Sequence, residues 1–113
     1  MPAENIFLGN DNTIDWQLQA DGVALNLSSV TRMTAEVAGC TLDSNTDGNA
    51  VGNTFYWIGG IPAANEPNVY LKLGPALNAA GAAKGTYSLR LRIFDPDNQD
   101  GIVVVDNASV RIS

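Results

Sequence analysis

The chain has 113 residues, six Lys or Arg against twelve Asp or Glu, no histidine, one cysteine and a formal net charge of -6. This length suits a single domain spanning residues 1–113, and 45% hydrophobic residues predict a folded chain. The acidic balance argues against nucleic acid and anionic membranes as partners, because binding phosphates requires a surplus of basic side chains. The absence of histidine excludes Ser-His-Asp and Cys-His nucleophiles and imidazole metal sites, so we expect no enzyme activity and no cofactor.

The N-terminal segment, residues 1–10, reads MPAENIFLGN and carries Ile6 and Phe7 outside the pattern of the chain that follows. It lacks the basic region and long apolar core of a signal peptide, which predicts a protein assembled in the cytoplasm. No apolar run approaches the roughly 20 residues of a membrane span. We predict that residues 1–10 form either an additional strand or an arm that reaches a neighbouring subunit.

Alternation with period two dominates the rest of the chain and predicts half-buried β-strands. In TIDWQLQA, TRMTAEV, NVYLKL and TYSLRLRIF, every second residue is apolar. The predicted inward positions are Ile14, Trp16, Leu18, Val23, Leu25, Leu27, Met33, Ala35, Val37, Phe55, Trp57, Val69, Leu71, Leu73, Tyr87, Leu89, Leu91, Ile93, Ile102 and Val104.

Turn signals separate these strands. The dipeptide Asp21-Gly22 and the stretch DPDNQDG predict tight turns, and Pro62 and Pro67 mark a loop. The Ala-rich stretch GPALNAAGAAKG is the one helical signal, with one or two turns expected because short helices are marginal. Seven or eight short strands with such turns predict an all-β antiparallel sandwich or barrel.

Two long stretches of the chain resemble a known family. DNTIDWQLQADGVALNLSSVTRMTAEV and LGPALNAAGAAKGTYSLRLRIFDPDNQDGIVVVDNASVRI are similar to an immunoglobulin-like domain of tailed-phage virion proteins, in particular the N-terminal domain of phage baseplate upper proteins. The region from Cys40 to Asn65 matches least. The resemblance implies an immunoglobulin-like sandwich with one short helical crossing. It also implies a virion location and contacts with other virion proteins and with repeated copies of the chain.

Tyr87, Gly85 and Trp16 are the candidate structural residues. Tyr87 follows Gly85 by two positions at a strand start, which fits a tyrosine corner or, alternatively, a simple core aromatic. Trp16 lies on the inward face of its strand. The lone Cys40 cannot form the internal disulfide of antibody domains, which fits a particle assembled inside a cell.

The stretch DSNTDGN places Asp43, Asn45 and Asp47 at alternate positions before Gly48, as in the first half of a calcium-binding EF-hand loop. The twelfth position of such a loop needs a bidentate Glu, and here it is Thr54. Strands rather than helices are predicted to flank it. Because Asn, Asp and Gly are also ordinary loop residues, we favour a solvent-exposed loop over a metal site.

Interface candidates come from strands that are apolar on both faces. In FYWI, Tyr56 and Ile58 point outward if Phe55 and Trp57 point inward. In IVVV, Val103 and Val105 are predicted to share an outward face. Such faces are covered either by the chain's own loops or by another subunit.

The outward Arg90 and Arg92 form a basic stripe on an acidic protein. It is explained either by cross-strand pairing with residues such as Glu36, which we favour, or by docking to an acidic neighbour.

Three functions are compatible with the sequence. The favoured one is a structural protein in the tail, baseplate or fibre-attachment apparatus of a phage. A single free-standing sandwich fits a capsid decoration protein as well. A carbohydrate-binding module would need an exposed aromatic platform, for which Tyr56, Trp57 and Tyr70 are the candidates.

Overall fold

The computed structural model describes residues 4–113, which form ten strands, one α-helix and a single 3₁₀ turn at Ser44–Thr46. In chain order the elements are β1 (Glu4–Ile6), β2 (Ile14–Trp16), β3 (Gln19–Ala20), β4 (Val23–Ala24), β5 (Arg32–Val37), β6 (Cys40–Asp43), β7 (Phe55–Trp57), β8 (Val69–Leu71), α1 (Leu73–Ala79), β9 (Gly85–Asp95) and β10 (Asn98–Ile112).

Eight of these strands build two sheets. The larger sheet has the order β1-β10-β9-β5-β6 and the smaller one β2-β8-β7, while β3 and β4 form a separate hairpin. The core strands follow the order of an immunoglobulin sandwich. There β5, β9 and β10 correspond to strands C, F and G, and β2, β8 and β7 to strands B, E and D. The prediction of an all-β antiparallel sandwich is confirmed.

The core lies between the two sheets, where alternate residues of each strand meet. The larger sheet contributes, among others, Met33, Ala35, Leu89 and Leu91, each with no exposed surface. The smaller sheet contributes a row formed by Ile14, Leu71 and Phe55, which lie opposite one another in register. Burial of such faces is the main favourable term in folding.

β1 is the additional strand anticipated for the N-terminal segment, and it pairs in parallel with the end of β10. Glu4 lies opposite Val110, and Ile6 opposite Ile112. Ile6 is 3% exposed, so its assignment to an intersubunit interface is wrong: its side chain belongs to the core. Residues 1–3 of the predicted arm lie outside the described residues.

The hairpin of β3 and β4 departs from the predicted strand VALNL. Asp21 and Gly22 both have positive φ, 53° and 78°, which suits a two-residue turn of the type that matches strand twist. The hairpin projects its tip into solvent, and Val23 beside the turn is 67% exposed. The inward position predicted for Val23 is therefore wrong.

β10 is irregular along its first half. Its pairing with β9 shifts register at three places, between Asn98 and Ile102, between Val103 and Val105, and between Val105 and Ala108. β-bulges of this kind break the alternation of faces. Val103 lies opposite the outward Arg92, whereas Val105 lies opposite the buried Leu91 and packs against the core. The prediction that Val103 and Val105 share an outward face is wrong for Val105, and Ile102 is partly exposed rather than inward.

α1 connects β8 to β9 and has seven residues, within the one or two turns predicted for this stretch. Its start lies close to the segment after β1. A Cβ at Gly74 would come within 2.3 Å of the Phe7 carbonyl oxygen, so glycine permits this approach. Leu73 and Leu77 are buried and attach the helix to the end of the sandwich.

Two asparagine side chains form hydrogen bonds to backbone groups that have no neighbouring strand to pair with. The buried Asn68 accepts from the Leu18 N–H at 2.6 Å and donates to the carbonyls of Leu18 and Leu25, fixing the β3–β4 hairpin to the smaller sheet. Asn49 accepts from the Trp57 N–H at 2.8 Å and donates to the Trp57 carbonyl at 3.1 Å. It thereby satisfies both backbone groups of Trp57 at the free edge of β7.

Candidate functional site

The tyrosine at the start of β9 makes the hydrogen bond of a tyrosine corner. The Tyr87 hydroxyl donates to the Ala83 carbonyl at 3.1 Å, four residues upstream. Gly85 lies beneath the ring at φ 152°, with its Cβ position 3.3 Å from the ring of Tyr87. Trp16 is half-buried and packs against the core. Tyr87 and Gly85 therefore hold the start of β9, and Trp16 supports the core through its packing.

The acidic loop is occupied by internal contacts. Asp43 lies at the end of β6, where its carboxylate accepts from the Arg32 side chain at 2.5 to 3.1 Å and from the Asn45 N–H at 2.9 Å. These hydrogen bonds from Arg32 lower the pKa of Asp43 and raise that of Arg32. Asp47 accepts from the Thr54 N–H at 3.2 Å. Within residues 4–113, no three Cys, Asp or Glu side chains gather as a metal site would require.

The outer face of the larger sheet carries three arginine–carboxylate pairs. Arg92 contacts Glu36 at 3.0 Å and Arg90 contacts Asp106 at 3.1 Å, in addition to the pair of Arg32 with Asp43. The Arg92–Glu36 pair is the cross-strand pairing favoured from the sequence. Each cation of the basic stripe therefore has a carboxylate beside it, and no strongly positive face results.

The outer face of the smaller sheet carries two stacked tyrosines. Tyr56 and Tyr70 lie opposite each other on β7 and β8, with ring centroids 5.6 Å apart and ring planes 21° apart. They line an open groove of about 310 Å³ together with Asp11, Asn53 and Lys72, among others. Trp57 is 6% exposed and points into the core, so its predicted place in an aromatic platform is wrong.

The strand register brings three connecting segments to one end of the sandwich. Trp16, Val69 and Trp57 lie opposite one another, so segment 17–31 after β2 and segment 58–68 between β7 and β8 leave from the same end. Segment 17–31 leads to β5, whose first residue Arg32 lies opposite Phe94 just before the β9–β10 turn. We call segments 17–31, 58–68 and 95–103 together the loop end; the last of these consists of the β9–β10 turn and the first residues of β10.

Hydrogen bonds hold these segments to one another. The Gly60 N–H donates to the side chains of Asn26 and Ser28 at 3.0 and 2.9 Å. The Thr31 N–H donates to the Phe94 carbonyl at 2.8 Å. Segments 17–31 and 58–68 therefore contact each other, and segment 17–31 also contacts the end of β9 just before segment 95–103.

Exposed aliphatic side chains concentrate at the loop end. Among the described residues, seven large hydrophobic side chains are exposed, and five belong to these segments: Val23, Ile58, Ile61, Ile102 and Val103. Ile58 and Val103 were expected from the sequence to face outward. Val23, Ile61 and Ile102 were missed, although IGGIP places apolar residues in a Gly-Pro segment that cannot bury them in a strand. Phe7, the remaining apolar candidate, is 40% exposed but follows β1 near the opposite end.

Comparisons with protein-family models, with curated proteins and with solved structures find no match to this chain. In the part of the chain that the structure describes, α1 and every other helical segment are too short to cross a membrane.

Proposed function

We propose that this chain is a non-enzymatic structural protein of a tailed-bacteriophage virion. It acts by protein–protein contacts in the tail, baseplate or fibre-attachment apparatus, and its partners are other virion proteins and copies of itself. The observation that carries the proposal is that five of the seven exposed large hydrophobic residues in the described chain lie in the loop-end segments. Exposed apolar side chains grouped on one surface are typical of protein interaction sites. The virion assignment rests on the sequence resemblance.

Labelling of intact particles tests this function. Antibody to the chain, carried on gold and viewed by negative-stain electron microscopy, is expected to mark the tail end of the phage. Gold distributed over the head would instead make the chain a capsid decoration protein. Particles that carry no gold, although they react with antibody to a known coat component, would refute a virion role altogether.

A pair of matched variants tests the loop end itself. Ile61 is 69% exposed at the loop end, and Val51 is 78% exposed on a different loop. We expect Ile61→Asp to fold normally and to fail to incorporate into particles, because a charge in the apolar centre of an interface is costly to desolvate. Val51→Asp is expected to incorporate as the unmodified chain does. If both variants incorporate as well as the unmodified chain, the loop end does not take part in the contact.

The Tyr56–Tyr70 groove supports a second candidate, a carbohydrate-binding module aiding host adsorption. Half-exposed aromatic rings next to Asp11, Asn53 and Lys72 offer both an apolar surface and hydrogen-bonding groups, as saccharides require. A glycan array probed with the unmodified chain and with Tyr70→Ala tests this candidate. Glycan binding that Tyr70→Ala abolishes would support it, and a blank array would reject it.

A further inference from the structure

We propose that the protein associates head to tail with a second copy of itself, the loop end of one copy docking on the opposite end of the next. The inference rests on the proposed function, because a chain repeated in an assembly needs a contact that can recur. The two surfaces lie at opposite ends of the domain and differ in charge.

The loop end is acidic as well as apolar. Its three segments contain five carboxylates and no Lys or Arg: Asp21, Glu66, Asp95, Asp97 and Asp100. Arg32 lines a cleft at the edge of this surface together with Asp95, but its charge is paired with Asp43. Asp97 and Asp100 are exposed at the β9–β10 turn. The turn is ordered by Asp95, whose carboxylate accepts from the Asp97 N–H at 2.9 Å and from the Asn98 side chain at 3.0 Å. The loop end is therefore an apolar surface with an acidic rim, which fits a partner with a basic rim.

The opposite end of the same chain has that charge. The β8–β9 connection, residues 72–84, starts at Lys72 and ends at Lys84, and Arg111 lies opposite Thr86 in the adjoining register. We call this surface the helix end. Lys84 and Arg111 line one open cleft of about 480 Å³ and have no ion-pair partner within residues 4–113. Lys72 is paired with Asp11 at 3.8 Å, so the positive charge of the helix end comes from Lys84 and Arg111.

The helix end also offers a small apolar surface. Phe7 is 40% exposed beside α1, and Ala79, Ala80 and Ala83 are exposed on the Ala-rich connection. The three alanine side chains are small, so they leave room beside Phe7 for the aliphatic residues of a loop end. Both ends therefore combine an apolar part with charges, and the charges are of opposite sign.

The two ends cannot satisfy each other within one molecule. They are separated by the length of β9, whose eleven residues span about 33 Å at 3.3 Å for each of ten steps, and the longest dimension of the domain is 34 Å. Screening at physiological salt, with a Debye length of about 8 Å, further isolates the two ends. The complementary charges are therefore available only to a neighbouring molecule.

A two-fold dimer is a poor alternative, since joining two loop ends would bring ten carboxylates together. A head-to-tail contact uses two different surfaces and is heterologous, so it produces a ring if the rotation closes and a linear stack if it does not. The overall charge of -6 opposes association over long distances. At physiological salt this repulsion is screened beyond about 8 Å, while contacting charges still interact.

Sedimentation velocity of the purified chain tests the proposal, with reciprocal charge reversals at the two ends. Over about 10 µM to 1 mM, the range of weak contacts, the weight-average sedimentation coefficient is expected to rise without stopping at a dimer. Lys84→Glu and Asp97→Lys should each weaken association about tenfold or more, because each leaves like charges facing one another. An equimolar mixture of the two variants should associate again, since every loop end then meets a helix end of opposite charge.

Arg90→Glu is the matched control. It makes the same change in net charge as Lys84→Glu but lies on the outer face of the larger sheet, so association should be unchanged. A monomer at every concentration, a species that stops at two copies, or a mixture that fails to recover association would each overturn the head-to-tail contact. If the chain stays monomeric while gold still labels particles and Ile61→Asp is still excluded from them, the loop end docks on a different protein. The proposed function then stands without the self-association.

Discussion

Replacing the buried Asn68 with alanine should destabilise the domain more than any other polar substitution we propose. Asn68 is 1% exposed, and its amide joins the smaller sheet to the β3–β4 hairpin by three hydrogen bonds. In Asn68→Ala the Leu18 N–H and the Leu25 carbonyl lose this partner in a poorly hydrated site. The Leu18 carbonyl keeps a second partner, the Leu25 N–H at 2.8 Å.

The magnitude follows from those two orphaned groups. A buried donor or acceptor left without a partner costs about 1–3 kcal/mol, so Asn68→Ala should lose about 2–6 kcal/mol of unfolding free energy. The whole domain is expected to have about 5–15 kcal/mol, so this is a large fraction. The hairpin also carries Val23 of the loop end, so its loosening would disturb that surface as well.

Urea unfolding followed by tryptophan fluorescence measures this loss, because Trp57 is buried and becomes exposed on unfolding. With a denaturant dependence of about 1.5 kcal/mol/M, a loss of 3 kcal/mol lowers the midpoint by about 2 M. Asn12→Ala, at an exposed site, is the control and should change stability by less than about 0.5 kcal/mol. A loss below about 1 kcal/mol for Asn68→Ala would refute the reasoning, since it would mean that water replaces the amide at little cost.

Asn68→Asp separates hydrogen bonding from side-chain volume. Aspartate keeps an oxygen that accepts from the Leu18 N–H. Its second oxygen, however, faces the carbonyls of Leu18 and Leu25, to which the amide of Asn68 donates. Burial without a cation should raise the folded-state pKa of the new carboxyl above its unfolded value of about 3.9. The proton is then bound more tightly in the folded state, so relative stability is highest below about pH 4 and falls as pH rises through the folded pKa. Equal destabilisation at pH 4 and pH 7 would contradict this account.

Three further substitutions probe single contacts. Tyr87→Phe should cost about 1 kcal/mol in urea unfolding, because the Ala83 carbonyl loses its hydroxyl donor, and an unchanged midpoint would argue for a simple packing role. Gly101→Ala should cost about 2 kcal/mol and lower Tm by roughly 8 °C, because φ is 86° and the new Cβ would lie 2.8 Å from the Phe94 ring. An unshifted Tm would mean that the ring moves freely. The pKa of Asp43 is lowered in the folded state by the Arg32 hydrogen bonds, so its contribution to stability is present above pH 4 and is lost as pH falls through the folded pKa. The stability difference between the unmodified chain and Asp43→Asn should therefore shrink on acidification, and a difference that grew instead would refute that sign.

The larger part of the fold could be predicted from alternation. It placed Met33, Ala35 and Val37 on the buried face of β5, and Leu89 and Leu91 on that of β9, because those strands are regular over their length. Alternation fails where a strand adds residues that do not pair. Along β10, Asn107 has φ 57° within a bulged region. The sequence feature that could have indicated this bulge is the polar pair Asp106 and Asn107 directly after the apolar run IVVV.

Contacts between segments that are distant in the chain could not be predicted from the sequence. The sequence predicts that Asn49 and Asn68 are ordinary loop residues. In the structure the Asn49 side chain bonds the backbone of Trp57, eight positions away, and the Asn68 side chain bonds the backbone of Leu18, fifty positions away. Which loops meet at one end likewise depends on strand pairing between residues such as Arg32 and Phe94, far apart in the chain. The sequence therefore did not reveal the charge difference between the two ends, since its one predicted basic feature was the Arg90 and Arg92 stripe on the larger sheet.

The pairing of β1 with β10 also determines how the domain responds to tension. The two strands run parallel, and hydrogen bonds from Ser113 to Ile6 and from Leu8 to Ser113 extend their ladder. A pull applied between the chain before Glu4 and the chain after Ile112 acts along the strands, so the hydrogen bonds are sheared together rather than unzipped one by one. Forced unfolding depends on the unfolding rate, not on the equilibrium free energy. A domain of modest thermodynamic stability can therefore resist mechanical load when the force is applied at β1 and at the end of β10.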